Sequence, residues 1–255
     1  MAFASVKFYS EALGIENEVY VVIPQKKTKG QIGVDGKVED RKFKCLYLLH
    51  GLTDDHTIWM RRTSIERYAT KYGICVVMPN GGRSFYTNMK LGGQRYYDYV
   101  ARELPAFITE MFNVSDKRED NFIAGLSMGG YGALKIGMRE CHKFCAAAAL
   151  SAVAHIKGTG INRFGEALKP IFGEEISIPD EDDLFLLAEM TEKKADKPRI
   201  YMTVGTEDFM YSENVMLKEK FESLDFDYTY REASGEHCWD FWDAEIQGIL
   251  KWMFG

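Results

Sequence analysis

A serine flanked by glycines, where an apolar run meets a helical pattern, constrains this chain more than any other feature. The run Phe122-Ile123-Ala124 leads into Gly125-Leu126-Ser127-Met128-Gly129, which fits the pattern G-x-S-x-G, and a helical pattern follows. A strand that turns directly into a helix crowds the two flanking positions so closely that both need glycine. The turn lifts the serine hydroxyl clear of the sheet, and the free N–H groups of the helix start face the same point. The segment predicts a nucleophilic serine, although a glycine-rich turn with an inert serine would share these five residues.

Short apolar runs alternate with helical patterns along the rest of the chain. Continuously apolar runs are typical of strands that are buried on both faces of a parallel sheet. They predict strands at Cys45–Leu49, Ile74–Met78, Asn121–Ala124, Cys145–Leu150, Ile200–Val204 and Asp227–Arg231. Helices are predicted at Ser64–Tyr72, Tyr97–Phe112, Ser212–Leu224 and Trp239–Phe254, with Pro105 kinking or dividing the second. The alternation predicts an α/β fold, with a mostly parallel central sheet and helices on both faces.

The first 42 residues depart from this alternation. Val6–Tyr9 and Asn17–Ile23 predict the two strands of an antiparallel hairpin at one edge of the sheet. The charged, glycine-containing stretch Lys26–Lys42 that follows is typical of a surface loop.

Residues 152–197 also interrupt the alternation. The segment is rich in Gly, Pro and acidic residues, is broken at Pro170, Gly173 and Pro179, and could hold a helix within Asp182–Lys194. It is too short to be an independent domain. We therefore predict a single domain over residues 1–255, with residues 152–197 as a small cap-like insertion near the serine.

Composition excludes several classes of protein. The 32 basic and 38 acidic residues give a net charge of −6, which argues against nucleic-acid or anionic-membrane partners. Five cysteines without a C-x-x-C pair, and no H-x-x-x-H pair, lead us to expect reduced thiols, no metal and no other cofactor. The N-terminus lacks the basic start and long apolar core of a secretory signal, and no run is long enough to span a membrane. We therefore expect a cytoplasmic protein.

A serine hydroxyl needs a neighbouring base to act as a nucleophile near neutral pH, and that base needs an orienting carboxylate. Among the five histidines, His50 ends a strand and is expected to shape the turn after it. His56 and His142 lie in polar surroundings and are interpreted as surface residues. His237 follows every predicted strand, in a glycine-bearing loop before the last helix, which favours it as the base over His155.

The candidate carboxylates follow the predicted strand Ile200–Val204. Glu207 and Asp208 are adjacent there, and both could orient the base, while Asp208 could instead cap the next helix. Asp182 and Asp183 lie in the insertion rather than at a strand end and are less favoured. The residues alone leave Glu207 and Asp208 open.

Six segments, taken in order, carry a resemblance to a known family. They are Tyr47-Leu-Leu-His-Gly-Leu, Val77-Met-Pro-Asn, Glu103-Leu-Pro, Ile123-Ala-Gly-Leu-Ser-Met-Gly-Gly-Tyr-Gly-Ala, Gly205-Thr-Glu-Asp and Gly235-x-His-x-Trp-x-x-Trp. From about Lys44 to Trp252 the chain resembles the esterase D-like branch of the α/β-hydrolase superfamily, and is most similar to short bacterial tributyrin and acetyl esterases. Other members of this branch are S-formylglutathione hydrolases and feruloyl esterases.

The resemblance implies an eight- or nine-stranded α/β-hydrolase fold and a role for each matched residue. Ser127 would be the nucleophile, Asp208 the orienting acid and His237 the base. The backbone N–H groups of Leu52 and Met128 would form the oxyanion hole. Cys238, beside the proposed base, departs from the family pattern. Substrate contacts vary in the loop Gly81–Gly93, so acyl and alcohol preferences do not carry over.

The function that the resemblance implies is a cofactor-free serine carboxylesterase acting on short-chain acyl esters, acetyl esters above all. Its partner would be a small-molecule ester, with an acylated sugar or an aryl ester as examples, and a homo-oligomer is also open. Tyr86, Trp59 and Trp239 lie near the loops and are candidates for substrate contacts, although ordinary packing would explain each. The alternatives are a feruloyl or cinnamoyl esterase, an S-formylglutathione hydrolase, and a non-catalytic binding protein on a hydrolase fold.

Overall fold

The computed structural model describes residues 1–25 and 42–255, and within these ranges eight strands form one sheet. The strands are β1 (Ala2–Ser10), β2 (Ile15–Ile23), β3 (Cys45–Leu49), β4 (Cys75–Pro79), β5 (Asn121–Leu126), β6 (Ala146–Leu150), β7 (Arg199–Gly205) and β8 (Tyr228–Ala233). Their order across the sheet is β1-β2-β4-β3-β5-β6-β7-β8, and all neighbours from β4 to β8 run parallel. The predicted mostly parallel sheet is confirmed.

Strands β1 and β2 form the predicted antiparallel hairpin at one edge of the sheet. Ala2 lies opposite Ile23 and Ser10 lies opposite Ile15, so the paired strands are longer than the sequence indicates. Strand β2 also pairs antiparallel with β4, which joins the hairpin to the parallel part of the sheet. The predicted surface loop Lys26–Lys42 lies outside the described residues, except for Lys42.

Helices cover both faces of the sheet, as predicted. The α-helices are α1 (Ile58–Arg62), α2 (Ile65–Tyr72), α3 (Tyr96–Asp98), α4 (Leu104–Met111), α5 (Met128–Arg139), α6 (Ile161–Phe172), α7 (Leu184–Glu192), α8 (Tyr211–Glu222) and α9 (Trp239–Phe254). Helices α1, α2 and α9 pack into a core on one face, and α4 to α8 pack into a second core on the other. In the part of the chain that is described, none of the helices has the length and apolar character to cross a bilayer.

Strand β6 consists almost entirely of alanine, and these small side chains allow helix α5 to pack very close to it. Ala146–Ala149 are all fully buried. A Cβ on Gly137 of α5 would lie 2.5 Å from the Ala147 Cβ, so glycine and alanine together permit this approach. Helix α5 is thereby held tightly against the centre of the sheet.

The predicted helix Tyr97–Phe112 is divided, as expected, and two helices, α1 and α6, are additional to the prediction. Between Tyr96 and Met111 a π-helical turn separates α3 from α4, and Pro105, which has no N–H to donate, is the second residue of α4, just after that turn. Helix α6 was not expected, because Pro170 and Gly173 break its pattern. It forms with a kink at Phe164 and is stabilised from outside, since the carbonyls of Pro170 and Ile171 accept backbone hydrogen bonds of 2.9 and 3.0 Å from the loop after β4.

The second half of the 152–197 segment is fixed to α5 through Asp182. The Tyr131 hydroxyl donates to the Asp182 carbonyl oxygen at 2.6 Å. The Asp182 carboxylate lies 3.2 Å from the Lys135 ammonium and 3.1 Å from the Arg139 guanidinium. The segment is therefore attached to the helix that follows Ser127.

Candidate active site

Ser127 lies on a sharp turn between β5 and α5. Its backbone has φ 53° and ψ −117°, a left-handed conformation that non-glycine residues rarely adopt. A Cβ on Gly125 would lie 2.3 Å from the Gly129 carbonyl oxygen, and one on Gly129 would lie 2.5 Å from the Leu49 carbonyl oxygen. Both positions therefore need glycine, as the G-x-S-x-G pattern predicts. The Ser127 N–H donates to the Leu150 carbonyl at 2.8 Å, which holds the strained turn against β6.

The structure brings Ser127, His237 and Asp208 together at the carboxyl ends of β5, β8 and β7. The His237 Nε2 lies 3.1 Å from the Ser127 Oγ. The His237 Nδ1 lies 2.9 and 3.0 Å from the two Asp208 carboxylate oxygens. Because a carboxylate only accepts, Nδ1 carries the proton and Nε2 is left to accept the serine hydroxyl proton.

The Asp208 carboxylate is buried and stays ionised through its hydrogen bonds. Burial alone would raise the pKa of Asp208, but the hydrogen bond from His237 and the electrostatic attraction of that ring lower it. The Met210 N–H, 2.7 Å from Oδ1, and the Ser151 hydroxyl lower it further. The net pKa lies below the ordinary value, so the carboxylate keeps the negative charge that orients the imidazole.

Glu207, the neighbouring candidate, has a different task. Its carboxylate accepts hydrogen bonds from the Gly235 N–H and the Ser234 hydroxyl. The Glu207 N–H in turn donates to the Gly235 carbonyl at 3.1 Å. Glu207 therefore fixes the loop that carries His237, and the carboxylate that is hydrogen-bonded to the imidazole is that of Asp208.

Sequence reasoning missed two side chains beside the Asp208–His237 pair. Ser151, directly after β6, accepts a hydrogen bond of 3.1 Å from the Trp242 indole and lies against the Asp208 carboxylate. Phe209 places its ring 4.5 Å from the imidazole, centroid to centroid. Both residues lie at or next to strand ends on the edge of the sheet that carries Ser127, and that position is the signal that could have singled them out.

The turn after β3 lies beside Ser127 and is braced by His50. The His50 Nδ1 donates to the Gly51 carbonyl at 2.7 Å, and Nε2 accepts from the Gly81 N–H at 2.9 Å. Burial lowers the pKa of His50 to about 4, so the ring is neutral and links two loops. A Cβ on Gly51 would lie 3.8 Å from the Ser127 Cβ, which places this turn next to the serine.

The two backbone N–H groups assigned to the oxyanion hole belong to different elements, Met128 to α5 and Leu52 to the turn after β3. Met128 is the first residue of α5, where helix N–H groups have no partner within the helix. The Gly51 carbonyl points at the His50 ring, so the Leu52 N–H of the same trans peptide points the opposite way.

Two of the three predicted substrate-contact aromatics belong to the core, and that prediction is wrong for them. Tyr86 is 0% exposed and its hydroxyl donates to the His50 carbonyl at 2.9 Å. Trp59 is 1% exposed and its indole N–H donates to the Leu49 carbonyl at 3.1 Å. Both side chains therefore support the end of β3 and the turn at His50. Trp239 is half-buried and packs edge-on against Trp59 and Trp242, so its substrate contact stays a prediction.

A cleft of about 340 Å³ opens beside the turn after β3. Leu52 and Arg83 line one side of it, and the first half of α6, from Ile161 to Ala167, lines the other. The 152–197 segment thus contributes a wall next to the candidate oxyanion hole.

The remaining histidines lie in three different surroundings. His142 is exposed, as expected, but His56 is 8% exposed and packs edge-on against Tyr20, so its assignment to the surface is corrected. The ring of His155 packs on Phe185. Among residues 1–25 and 42–255, no cluster of three or more His, Cys, Asp or Glu side chains could hold a metal ion.

The parallel sheet, its flanking helices and the strand–serine–helix turn define an α/β-hydrolase. The family model named Esterase matches residues 10–253, and the chain therefore belongs to the Esterase family and is a carboxylic ester hydrolase. This confirms the resemblance found in the sequence.

Similar proteins match over nearly their whole length. The acetyl esterase of Caldicellulosiruptor saccharolyticus is 32% identical over 263 residues, which cover 99% of this chain and 98% of the relative. The substrate-bound structure of FphF, a fluorophosphonate-binding serine hydrolase of Staphylococcus aureus, is 33% identical with a TM-score of 0.88, covering 100% of this chain and 98% of that one. The apoenzyme of S-formylglutathione hydrolase (FrmB), also from Staphylococcus aureus, is 33% identical with a TM-score of 0.84, covering 100% and 99%.

Proposed function

We propose that this protein is a serine carboxylesterase that hydrolyses short-chain acyl esters, acetyl esters above all, through Ser127, His237 and Asp208. The observation that carries the proposal is the chain of hydrogen bonds from the Asp208 carboxylate through His237 to the Ser127 Oγ. A serine hydroxyl in that arrangement has both the base and the oriented acid partner that nucleophilic attack requires.

In the first half of the reaction the Ser127 Oγ attacks the ester carbonyl carbon while His237 Nε2 takes its proton. The carbonyl oxygen becomes an oxyanion, and the N–H groups of Leu52 and Met128 donate to it. Each such donor typically stabilises the transition state by about 2.7–4 kcal/mol. His237 then returns the proton to the alcohol oxygen, the bond to the alcohol breaks, and the acyl group stays on Ser127.

In the second half a water molecule takes the place of the alcohol. His237 removes a proton from the water as it attacks the acyl-enzyme carbonyl, and the carboxylic acid leaves as Ser127 regains its proton. Asp208 keeps its negative charge throughout and stabilises the imidazolium that forms in both halves. Its lowered pKa supports this role.

The short acyl preference is supported by the acetyl esterase that matches this chain over nearly its full length. The cleft beside Leu52 adjoins the proposed oxyanion hole and could receive the acyl group. We also propose that residues 152–197 act as a cap within a single domain, since α6 walls this cleft and Asp182 anchors the segment to α5.

Hydrolysis of an ester panel tests the proposal. The panel contains p-nitrophenyl esters from acetate to decanoate, methyl ferulate and S-formylglutathione, and is assayed with the wild type and with Ser127→Ala. We expect kcat/KM to peak at acetate or butyrate and turnover to vanish in the variant.

The same panel separates the alternatives. S-formylglutathione hydrolase is the second candidate, because FrmB matches the whole chain at 33% identity, and it would give the highest kcat/KM with the thioester. A preference for methyl ferulate would indicate a feruloyl esterase. Absence of Ser127-dependent turnover on every substrate would contradict the proposal and favour a non-catalytic protein on this fold.

A further inference from the structure

Two aromatic rings border the imidazole of His237, and they differ in exposure. Trp242 places its ring edge-on at 4.8 Å, but it is only 5% exposed and its N–H is bonded to Ser151. Phe209 lies at 4.5 Å and is 54% exposed. Of these two rings, Phe209 is the one that a substrate bound at His237 can reach.

An arginine from the 152–197 segment holds this exposed ring in place. The Arg163 guanidinium carbon lies 4.8 Å from the centre of the Phe209 ring, within the range of a cation–π contact. Its Nη2 donates to the Phe209 carbonyl at 3.3 Å, and its Nη1 lies 3.8 Å from the buried Glu213 carboxylate. This half-exposed apolar side chain is therefore contacted by both the imidazole and the guanidinium.

In the proposed reaction the leaving group lies beside Phe209. His237 Nε2 must hand its proton to the alcohol oxygen, so that oxygen lies within hydrogen-bond reach of the imidazole. The substituent on the oxygen then begins beside Phe209. The acyl group would then occupy the cleft by Leu52. Arg163 lines that cleft and also contacts Phe209, so it connects the two regions.

We propose that Phe209, held by Arg163, is the specificity-determining contact for the leaving group and favours planar aryl alcohols. The inference rests on the proposed esterase function and adds the class of alcohol. Aromatic pairs prefer edge-to-face or offset contacts, which an aryl leaving group can form with the exposed part of the Phe209 ring and a saturated ring cannot.

Three esters separate the leaving group from the acyl group: phenyl acetate, cyclohexyl acetate and phenyl butyrate, with acid release followed by pH-stat. We compare kcat/KM, which reports acylation, for the wild type, Phe209→Leu, Phe209→Tyr and Arg163→Met. Phe209→Leu should lower the ratio of phenyl acetate to cyclohexyl acetate by about three- to tenfold, the range expected for one aromatic contact. Phe209→Tyr should retain the ratio, and Arg163→Met should lower it less than Phe209→Leu does.

The ratio of phenyl acetate to phenyl butyrate should be unchanged in Phe209→Leu and Phe209→Tyr; Arg163→Met is left out of this comparison because Arg163 also lines the cleft by Leu52. Equal losses on all three esters would mean that Phe209 only orders His237, and a change confined to the acyl ratio would make it an acyl contact. Either outcome overturns the inference while leaving the esterase function intact. If the wild type shows no turnover that depends on Ser127, the proposed function fails and this inference fails with it. If Phe209→Leu does not fold, Arg163→Met decides, because an unchanged ratio of phenyl acetate to cyclohexyl acetate in that variant would overturn the inference.

Discussion

At the residue scale, the adjacent carboxylates Glu207 and Asp208 have different hydrogen-bond partners. Asp208 is buried and bonded to the imidazole, while Glu207 is exposed and holds the loop of His237 through Gly235 and Ser234. These two adjacent carboxylates therefore have different roles: Asp208 would act on the base, and Glu207 only positions the loop that carries it.

Asp208→Asn should lower kcat for p-nitrophenyl acetate by about 10⁴-fold, because an amide at this position disfavours the tautomer that accepts the serine proton. Glu207→Gln is the matched control. Its amide oxygen can still accept from the Gly235 N–H, so its kcat should stay within about tenfold of the wild type. Similar losses in both variants, or a larger loss in Glu207→Gln, would contradict the assignment.

Sequence alone could predict Ser127, His237 and the Glu207–Asp208 pair as candidates, because each follows a strand in the chain order that a strand-end site requires. It could not choose between the two carboxylates, because the choice depends on which of them reaches the imidazole of His237, and that contact joins distant segments. Phe209, Ser151 and the buried state of Tyr86 depend on contacts between distant segments, which local patterns do not encode.

At the element scale, close backbone approach decides where the strand–serine–helix turn can form. Gly125 and Gly129 admit the first turn of α5 against β3 and β5, and Gly137 admits its middle against β6. The pattern G-x-S-x-G predicted the first two contacts. Helix α6 is not predicted because Pro170 and Gly173 interrupt its pattern, yet it forms with Leu168, Ile171 and Phe172 buried in the core and with two hydrogen bonds from the loop after β4.

Gly125→Ala should destabilise the fold by about 1–3 kcal/mol or more and abolish esterase activity, because the new Cβ would lie 2.3 Å from the Gly129 carbonyl oxygen. Gly248→Ala in α9 is the control, since its nearest neighbour would be the Tyr201 hydroxyl at an ordinary 3.6 Å. It should stabilise the protein by about 0.5–1 kcal/mol through helix propensity. Urea unfolding measures both changes, and a Gly125→Ala variant as stable and active as the wild type would contradict the packing argument.

The buried Lys135 connects α5, the loop after β4 and the 152–197 segment. Its ammonium donates to the Phe85 carbonyl at 3.2 Å and to the Thr87 hydroxyl, and lies 3.2 Å from the Asp182 carboxylate. Burial lowers the pKa of Lys135 from 10.5 to about 8, and Asp182 offsets only part of this effect.

Lys135 should therefore make the stability of the protein rise with pH between about 8 and 10.5. In that window the unfolded chain still binds the lysine proton and the folded chain has released it, so the free energy of unfolding increases with pH. Urea unfolding of the wild type and Lys135→Met at several pH values isolates the effect. The difference between them, wild type minus variant, should be flat below pH 8 and grow above it; a difference that stays flat or shrinks above pH 8 would contradict the argument.

At the scale of the whole molecule, the order of the strands assembles the site. Strands β5, β6, β7 and β8 are parallel neighbours, so the residues that follow them meet at one edge although they are up to 110 positions apart. The fold class and this edge could be predicted from alternating apolar runs and helical patterns. The contribution of α6 to a substrate cleft could not be predicted from the sequence, because it depends on how the 152–197 segment packs over the sheet.

Covalent labelling of Ser127 tests the central claim most directly. The protein and its Ser127→Ala variant are incubated with a fluorophosphonate, and the intact mass and the labelled peptide are determined. We expect one adduct per chain, on Ser127, with no label in the variant and slow labelling in Asp208→Asn. An adduct on another residue, or an unlabelled wild-type protein, would contradict the claim that Ser127 is the activated nucleophile of this esterase.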